Sequence, residues 1–366
     1  MLNKIIVAYN IITLPVVILF ITNGFAQLYY AFKLNRKFPE EHNFNNSIII
    51  FFLWILAGLL YPFFYSTNNA NIIWFQYLST LFICILTPFI LFLILYYQYR
   101  YVIIKDPDIK RKRNIKVFLK DFDEFNAQID DPRTHTLNTD VHRKILHLVP
   151  AGIIIFLWVF AIYIWDNTWN ADRIWGISGQ DFGRFLILTA GLSGILVFAT
   201  LDYVRLSYIF ESRNIYHFLP DMVSKVLKKT IKRREIYEFT KPAAMVLAFV
   251  PIFFLPFGIF AASALIATIG DGAASIIGMR LGKRNFPKSS KKTIIGYIAG
   301  FCASFGVSIL ALWIFETNLP ILKIIIISLG GATMFLLVDL LSLKIDDNIL
   351  NPIFCALLMT LLYYNL

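Results

Sequence analysis

Four short stretches of this chain put charge where an apolar segment should carry none, and such residues mark function by default. The first is His142-Arg143-Lys144-Ile145-Leu146-His147, at the start of an apolar run. Arg143 and His147 are four residues apart and share a helical face. Two fixed cations beside a histidine suit phosphate oxygens, Arg through a planar fork and Lys as a point charge. Snorkelling to a membrane surface would explain Arg143 and Lys144 but not the deeper His147. The second is Asp202-Tyr203-Val204-Arg205, whose i,i+3 spacing permits an ion pair. It reads equally well as a structural pair and as part of a site.

The third stretch is Ile269-Gly270-Asp271-Gly272-Ala273-Ala274-Ser275, inside an apolar run, followed by a loop with Lys283, Arg284, Lys288, Lys291, Lys292 and Thr293. Glycines on both sides of Asp271 predict a helix break there, and a half-helix starting after Gly272 would aim backbone N–H groups at an anion. The loop cations suit a triphosphate, and Asp271 suits its divalent ion. Ala274, Ser275, Gly278 and Gly282 form a small-residue stripe that lets another helix approach closely. The fourth is Lys344-Ile345-Asp346-Asp347-Asn348, with Asp339 shortly before it. Two carboxylates and an amide are oxygen ligands for Mg2+; the same three residues also make a good helix cap.

The elements that must hold these residues are membrane helices. Of 366 residues, 58% are hydrophobic and only 16% charged, and Phe alone occurs 35 times. Soluble domains carry about a quarter charged residues, so disorder, a fibre and an ordinary cytosolic enzyme are excluded. Cys84, Cys302 and Cys355 lie in apolar runs with no zinc or disulfide spacing. Apolar runs predict about ten transmembrane helices: roughly 5–32, 48–65, 72–99, 145–165, 185–201, 243–260, 261–279, 294–315, 321–338 and 350–364. All but four of the 34 Lys and Arg fall in alternating loops, the exceptions being Lys4, Arg173, Arg184 and Lys323. By the positive-inside rule this places both termini outside and every large basic loop in the cytoplasm. The net charge of +11 is then a membrane-topology signal, and nucleic acid is not expected as a partner. Segments 115–129 and 222–236 read as amphipathic helices lying on anionic lipid. The fold class expected is an all-α polytopic membrane protein.

Taken in order, the motifs resemble the CTP-dependent polyprenol kinases, a group that includes dolichol and phytol kinases. These belong to the wider family of phosphatidate cytidylyltransferase-like membrane enzymes. The resemblance lies in Arg143-Lys144-x-x-His147, Asp202-x-x-Arg205, Gly270-Asp271-x-x-Ala274, Gly278-x-x-x-Gly282-Lys283, Lys291-Lys292-Thr293-x-x-Gly296, and Asp346-Asp347-Asn348 with Pro352. It covers about three-fifths of the chain. It implies a kinase that moves the γ-phosphate of CTP to the hydroxyl of a long isoprenoid alcohol, with Mg2+ as cofactor. The implied catalytic residues are Arg143, Lys144, His147, Asp271, Asp346 and Asp347. Gly270, Lys283, Lys291, Lys292, Thr293, Asp202 and Arg205 would bind nucleotide, and Asp271, Asp346, Asp347 and Asn348 the metal. Residues 1–104 would be an N-terminal membrane extension, 105–141 a basic linker, and 142–366 the catalytic membrane domain. A phytol or diacylglycerol kinase, a CDP-lipid-forming cytidylyltransferase and, more remotely, a transporter are the alternatives. No Walker motif and no Pro-Gly-His-Gly-Gly signature occurs in the chain.

Overall fold

The computed structural model describes residues 8–65, 70–106, 108, 132–211, 236–287, 292–341 and 343–366. The two amphipathic segments expected at 115–129 and 222–236 lie outside these residues, apart from Ile236 itself. Among the described residues the fold is all helical, save one isolated antiparallel bridge between Asn285 and Thr293. Among the described residues, nine helical stretches are long and apolar enough to cross a bilayer, so this is an all-α, multi-pass integral membrane protein. Only helices satisfy every backbone group within their own segment in lipid, closed barrels apart.

The helices are α1 (Leu14–Lys37), α2 (Phe44–Leu60), α3 (Ala70–Leu81) and α4 (Thr87–Tyr97). They are followed by α5 (Pro132–Val159), the short α6 (Ala171–Trp175), α7 (Gly179–Glu211) and α8 (Lys241–Ile252). The last five are α9 (Phe257–Leu265), α10 (Asp271–Leu281), α11 (Ile294–Phe315), α12 (Ile321–Leu341) and α13 (Asp347–Asn365).

The division between the sixth and seventh expected spans falls elsewhere. The chain breaks before Pro256, which opens α9, and not at residue 260. The helix before the break, α8, has only 12 residues. At 1.5 Å per residue it is about 18 Å long, short of a bilayer's apolar thickness of about 30 Å. The helix after the break is correspondingly long: α9, a π-helical turn at Ile266–Gly270 and α10 form one continuous span. The predicted break beside Asp271 is therefore absent. The glycines there are absorbed by a π turn, and the Asp271 N–H bonds back to main-chain carbonyls of Ile266 and Thr268. No open half-helix N-terminus is formed at Gly272.

The chain forms two compact units. The first comprises Met1–His135 and Trp158–Ala243, the second Thr136–Leu157 and Ala244–Leu366. Residues 158–243, grouped by sequence with the catalytic domain, thus associate with the N-terminal helices. Aromatic packing explains this: Phe75 of α3 stacks on Phe185 of α7 with centroids 4.4 Å apart. Thr189 of α7 also donates a hydroxyl bond to Ser79 of α3 at 2.9 Å. In the same unit Trp54 of α2 packs on Phe20 of α1 and donates to Gln27 at 3.0 Å.

In the second unit, the expected small-residue stripe does what close helix packing requires. A Cβ on Gly278 would stand 3.1 Å from the Gly296 Cα of α11, and one on Gly300 would stand 2.8 Å from both Ala274 and the Phe335 ring of α12. A Cβ on Gly331 of α12 would meet Met359 of α13 at 2.7 Å. Backbones this close fix the register of α10 through α13. At the far end, Glu316 accepts from the Gly258 N–H at 2.9 Å and from the Tyr363 hydroxyl at 3.3 Å, tying the ends of α9, α11 and α13.

Candidate functional site

Four of the helices in the second unit bring their charged ends together. On α5, Asp140, Lys144 and His147 are buried. Asp140 pairs with Arg143 at 2.8 Å and accepts the Ser275 hydroxyl of α10. One turn further, Lys144 donates to Asp271 at the start of α10. The i−3 and i−4 spacing of Asp140 from Arg143 and Lys144 is the helical geometry that allows this. Asp271 faces protein, not lipid: it is 8% exposed and its partner comes from another helix.

The loop after α10 returns as a short hairpin. Phe286 N–H donates to the Lys292 carbonyl at 2.9 Å, and Ile294 N–H to the Arg284 carbonyl at 3.1 Å. This draws Lys283 and Arg284 to the base of α11, both exposed. Lys291, an expected nucleotide ligand, lies outside the described residues. Lys292 reaches Asp339 near the end of α12 at 2.8 Å. Burial opposes the charge on Lys292, but the carboxylates of Asp339, Asp347 and Asp271 outweigh it and hold its pKa above the ordinary lysine value. Lys292 is therefore favoured in its charged form beside acidic groups from α10, α12 and α13.

The first turn of α13 completes the cluster. Asp346 caps the helix, its Oδ1 accepting from the Asn348 N–H at 3.0 Å and from Asn348 Nδ2 at 2.6 Å. Asp347, in the first turn, suits the positive end of the helix dipole. Asn348 is buried, and its Oδ1 has no hydrogen-bond partner. The same holds for Asn351, one turn further in and 1% exposed.

Some expected site residues have internal work. The Thr293 hydroxyl caps α11 through the Gly296 N–H at 3.2 Å and donates to the Gly278 carbonyl at 3.3 Å. Gly270 lies in the π turn against Ser304 of α11. Asp202 and Arg205 belong to the first unit. Asp202 accepts from Arg205 at 2.7 Å, from the Thr240 N–H at 2.9 Å and from the Thr240 hydroxyl at 2.6 Å. Arg205 also donates to the Glu238 carbonyl. This is a joint that fastens residues 238–240 to α7.

Asp140 and Asn351 were missed by sequence reasoning, although both carried a signal. Asp140 sits at ion-pair spacing before two cations. Asn351 is an amide within an apolar span, three residues after Asn348. Among the described residues no three His, Cys, Asp or Glu side chains gather into a metal-binding group, so a cation held here needs amide or main-chain oxygens as well. No family model, no curated protein and no solved structure matches the chain.

Proposed function

We propose that this protein is a CTP-dependent lipid kinase that phosphorylates the hydroxyl of a long isoprenoid alcohol at the cytoplasmic face of its membrane. One observation carries the reading. Cations and carboxylates from α5, α10, α12, α13 and the start of α11 share one electrostatic environment, at helix ends embedded among apolar spans. Phosphoryl transfer calls for this: positioning and charge neutralisation more than covalent chemistry. A lipid alcohol needs its reacting end at the headgroup boundary while its tail stays in the apolar region.

Each side chain then has a task. Lys292, kept protonated by its acidic neighbours, neutralises phosphate charge. Lys144 and Arg143 do the same from α5, held in place by Asp271 and Asp140. Lys283 and Arg284 stand exposed in the loop before α11, where they would attract a nucleotide polyphosphate. His147 or one of the aspartates takes the acceptor proton. Mg2+ fits the first turn of α13, because a buried amide oxygen without a donor stands beside two carboxylates there; Asp346, Asp347 and Asn348 would hold it. Held there, it would supply positive charge to offset that of the phosphates.

The test is direct. Purified protein with Mg2+, CTP and a polyprenol should yield polyprenyl phosphate and CDP. Asp271→Asn should lower that rate by about 100-fold or more. Release of pyrophosphate would assign a cytidylyltransferase instead. Absence of any nucleotide-dependent lipid product would remove the kinase reading.

A further inference from the structure

The connection between the spans Asp140–Thr168 and Gly179–Leu206 is residues 169–178, and it is braced along its length. Asn170 and Gly176 take left-handed backbone, at φ 49° and 63°, and frame the five-residue helix α6. The Trp169 N–H donates to the Ile164 carbonyl at 2.9 Å, and the Asn170 N–H to the Asp166 carbonyl at 3.1 Å. Trp165 donates its indole N–H to the Ile177 carbonyl at 3.2 Å and stacks on Phe182 with centroids 3.9 Å apart. The Gly179 N–H donates to Asp166 Oδ2 at 2.7 Å, and the Ser178 hydroxyl oxygen accepts from the Asp181 N–H at 3.1 Å.

On this rigid frame three large apolar side chains are held outward. Trp169 is 55% exposed, Ile174 72% and Trp175 62%. Among residues 169–178 only Ala171 and Ile177 are buried. A slack loop could fold such side chains back onto the protein; a braced one cannot. The place of the connection in the fold says what covers them. It joins two spans directly, and Arg205, toward the other end of α7, lies 26 residues beyond Gly179, about 39 Å along the helix. A bilayer measures about 30 Å across its apolar core and 40–45 Å with its headgroups. A charged end and a connection this far apart occupy opposite headgroup regions. Trp is favoured there, because its ring is apolar and its N–H polar. The charges of Asp172 and Arg173 cancel, so apolar burial, and not attraction to anionic lipid, supplies the hold.

We propose that residues 169–178 form an interfacial anchor, with Trp169, Ile174 and Trp175 seated at the headgroup–acyl boundary of the bilayer. The partner is the lipid surface itself, zwitterionic or anionic alike. Trp165 and Asp166 clamp the connection to the start of α7. The anchor therefore sets the depth of that helix and of the Asp202–Arg205 joint toward its other end. It does not depend on the kinase reading.

The experiment puts an environment-sensitive fluorophore on Ile174→Cys in the full chain, with Cys84→Ala, Cys302→Ala and Cys355→Ala, reconstituted in phosphatidylcholine vesicles. Iodide on both sides of the membrane reports access from water. Lipids carrying a nitroxide near the headgroup or deep in the acyl region report depth. The expected result is protection from iodide, with stronger quenching by the shallow nitroxide than by the deep one. Replacing a fraction of the lipid by phosphatidylglycerol should change neither reading. Full iodide access overturns the anchor, and so does protection that appears only with phosphatidylglycerol. Shielding from iodide and from both nitroxides would place protein over the patch and also overturn it. If the cysteine-free chain does not fold, tryptophan emission decides. Trp169→Leu with Trp175→Leu should lower the fraction of emission quenched by lipids brominated near the headgroup, and an unchanged fraction counts against the anchor.

Discussion

The two units each bury aspartate–cation pairs, and the pairs are built differently. In the first unit the Asp202 carboxylate accepts three hydrogen bonds, and Arg205 reaches on to a main-chain carbonyl. The arrangement closes on itself and fastens one backbone segment to a helix. In the second unit Asp271 meets one lysine ammonium, and no other hydrogen bond to its carboxylate is found among the described residues. Lys is a flexible point charge, whereas Arg is a rigid fork. A charge inside a membrane helix is thus not a site by itself. How its bonding capacity is divided separates a joint from a place where a ligand can exchange.

Replacing both partners by apolar residues of similar size tests that distinction. A simple buried ion pair tolerates such replacement, often without loss of stability. The Asp202 joint should not, because the half-buried Thr240 N–H and hydroxyl would both lose their acceptor and the Glu238 carbonyl would lose the Arg205 donor. Asp202→Leu with Arg205→Met is expected to cost about 3 kcal/mol or more in mixed-micelle unfolding. A double variant as stable as wild type would show that the joint is only an ion pair.

A milder cut asks how the joint divides its strength. Thr240→Val removes the hydroxyl that donates to Asp202 at 2.6 Å and keeps the main-chain donor at 2.9 Å. A hydrogen bond to a charged group contributes about 1.5–3 kcal/mol, so a loss near the lower figure is expected. No change in the unfolding midpoint would mean that water replaces the hydroxyl and the joint is open.

The second unit should respond in the opposite way. Lys144→Met with Asp271→Leu is expected to stay within about 1 kcal/mol of wild type while losing lipid phosphorylation. Retained activity would exclude the pair from the site. A collapse in stability matching that of the Asp202 double variant would erase the comparison.

The membrane fold was legible because apolar length and loop charge are one-dimensional signals. The positions of α2, α11 and α12 follow directly from them. The boundary between the sixth and seventh spans was set at 260/261, although Pro251 and Pro256 already marked the region as one to kink or break; Pro251, Pro256, Gly270 and Gly272 all signal interruption, and tertiary packing selects Pro256 among them. The π turn at Ile266–Gly270 depends on α11 pressing Ser304 against Gly270, which no local pattern records. In the site, Lys144, Asp271 and Lys292 were visible as charges out of place. Their partners were not, since pairing Lys292 with Asp339 or Lys144 with Asp271 is a property of helix register. Asn351 carried only a weak signal: an amide in an apolar span becomes conspicuous once its burial is known.

The smallest effect expected lies in the loop between α1 and α2. His42 is buried, and its Nδ1–H donates to the Tyr237 carbonyl at 2.8 Å, which leaves Nε2 to accept the Ser47 hydroxyl at 3.1 Å. Burial lowers its pKa below the ordinary 6.5, and the Tyr237 bond opposes this in part. A folded-state value below the unfolded one gives stability that is complete above pH 6.5 and is lost as pH falls through the folded value. Protonated Nε2 could no longer accept from Ser47, so acidification should break the Ser47 contact while the Nδ1–H bond to the Tyr237 carbonyl persists. Each unit of separation between the two values corresponds to about 1.4 kcal/mol, and a loss below 1 kcal/mol between pH 7.5 and 5.5 is expected. Unfolding midpoints of wild type and His42→Gln at the two pH values measure it. The variant, with no titrating ring, should show a flatter pH dependence. An equal drop in both proteins would assign the acid sensitivity to other groups and leave His42 with a purely steric role.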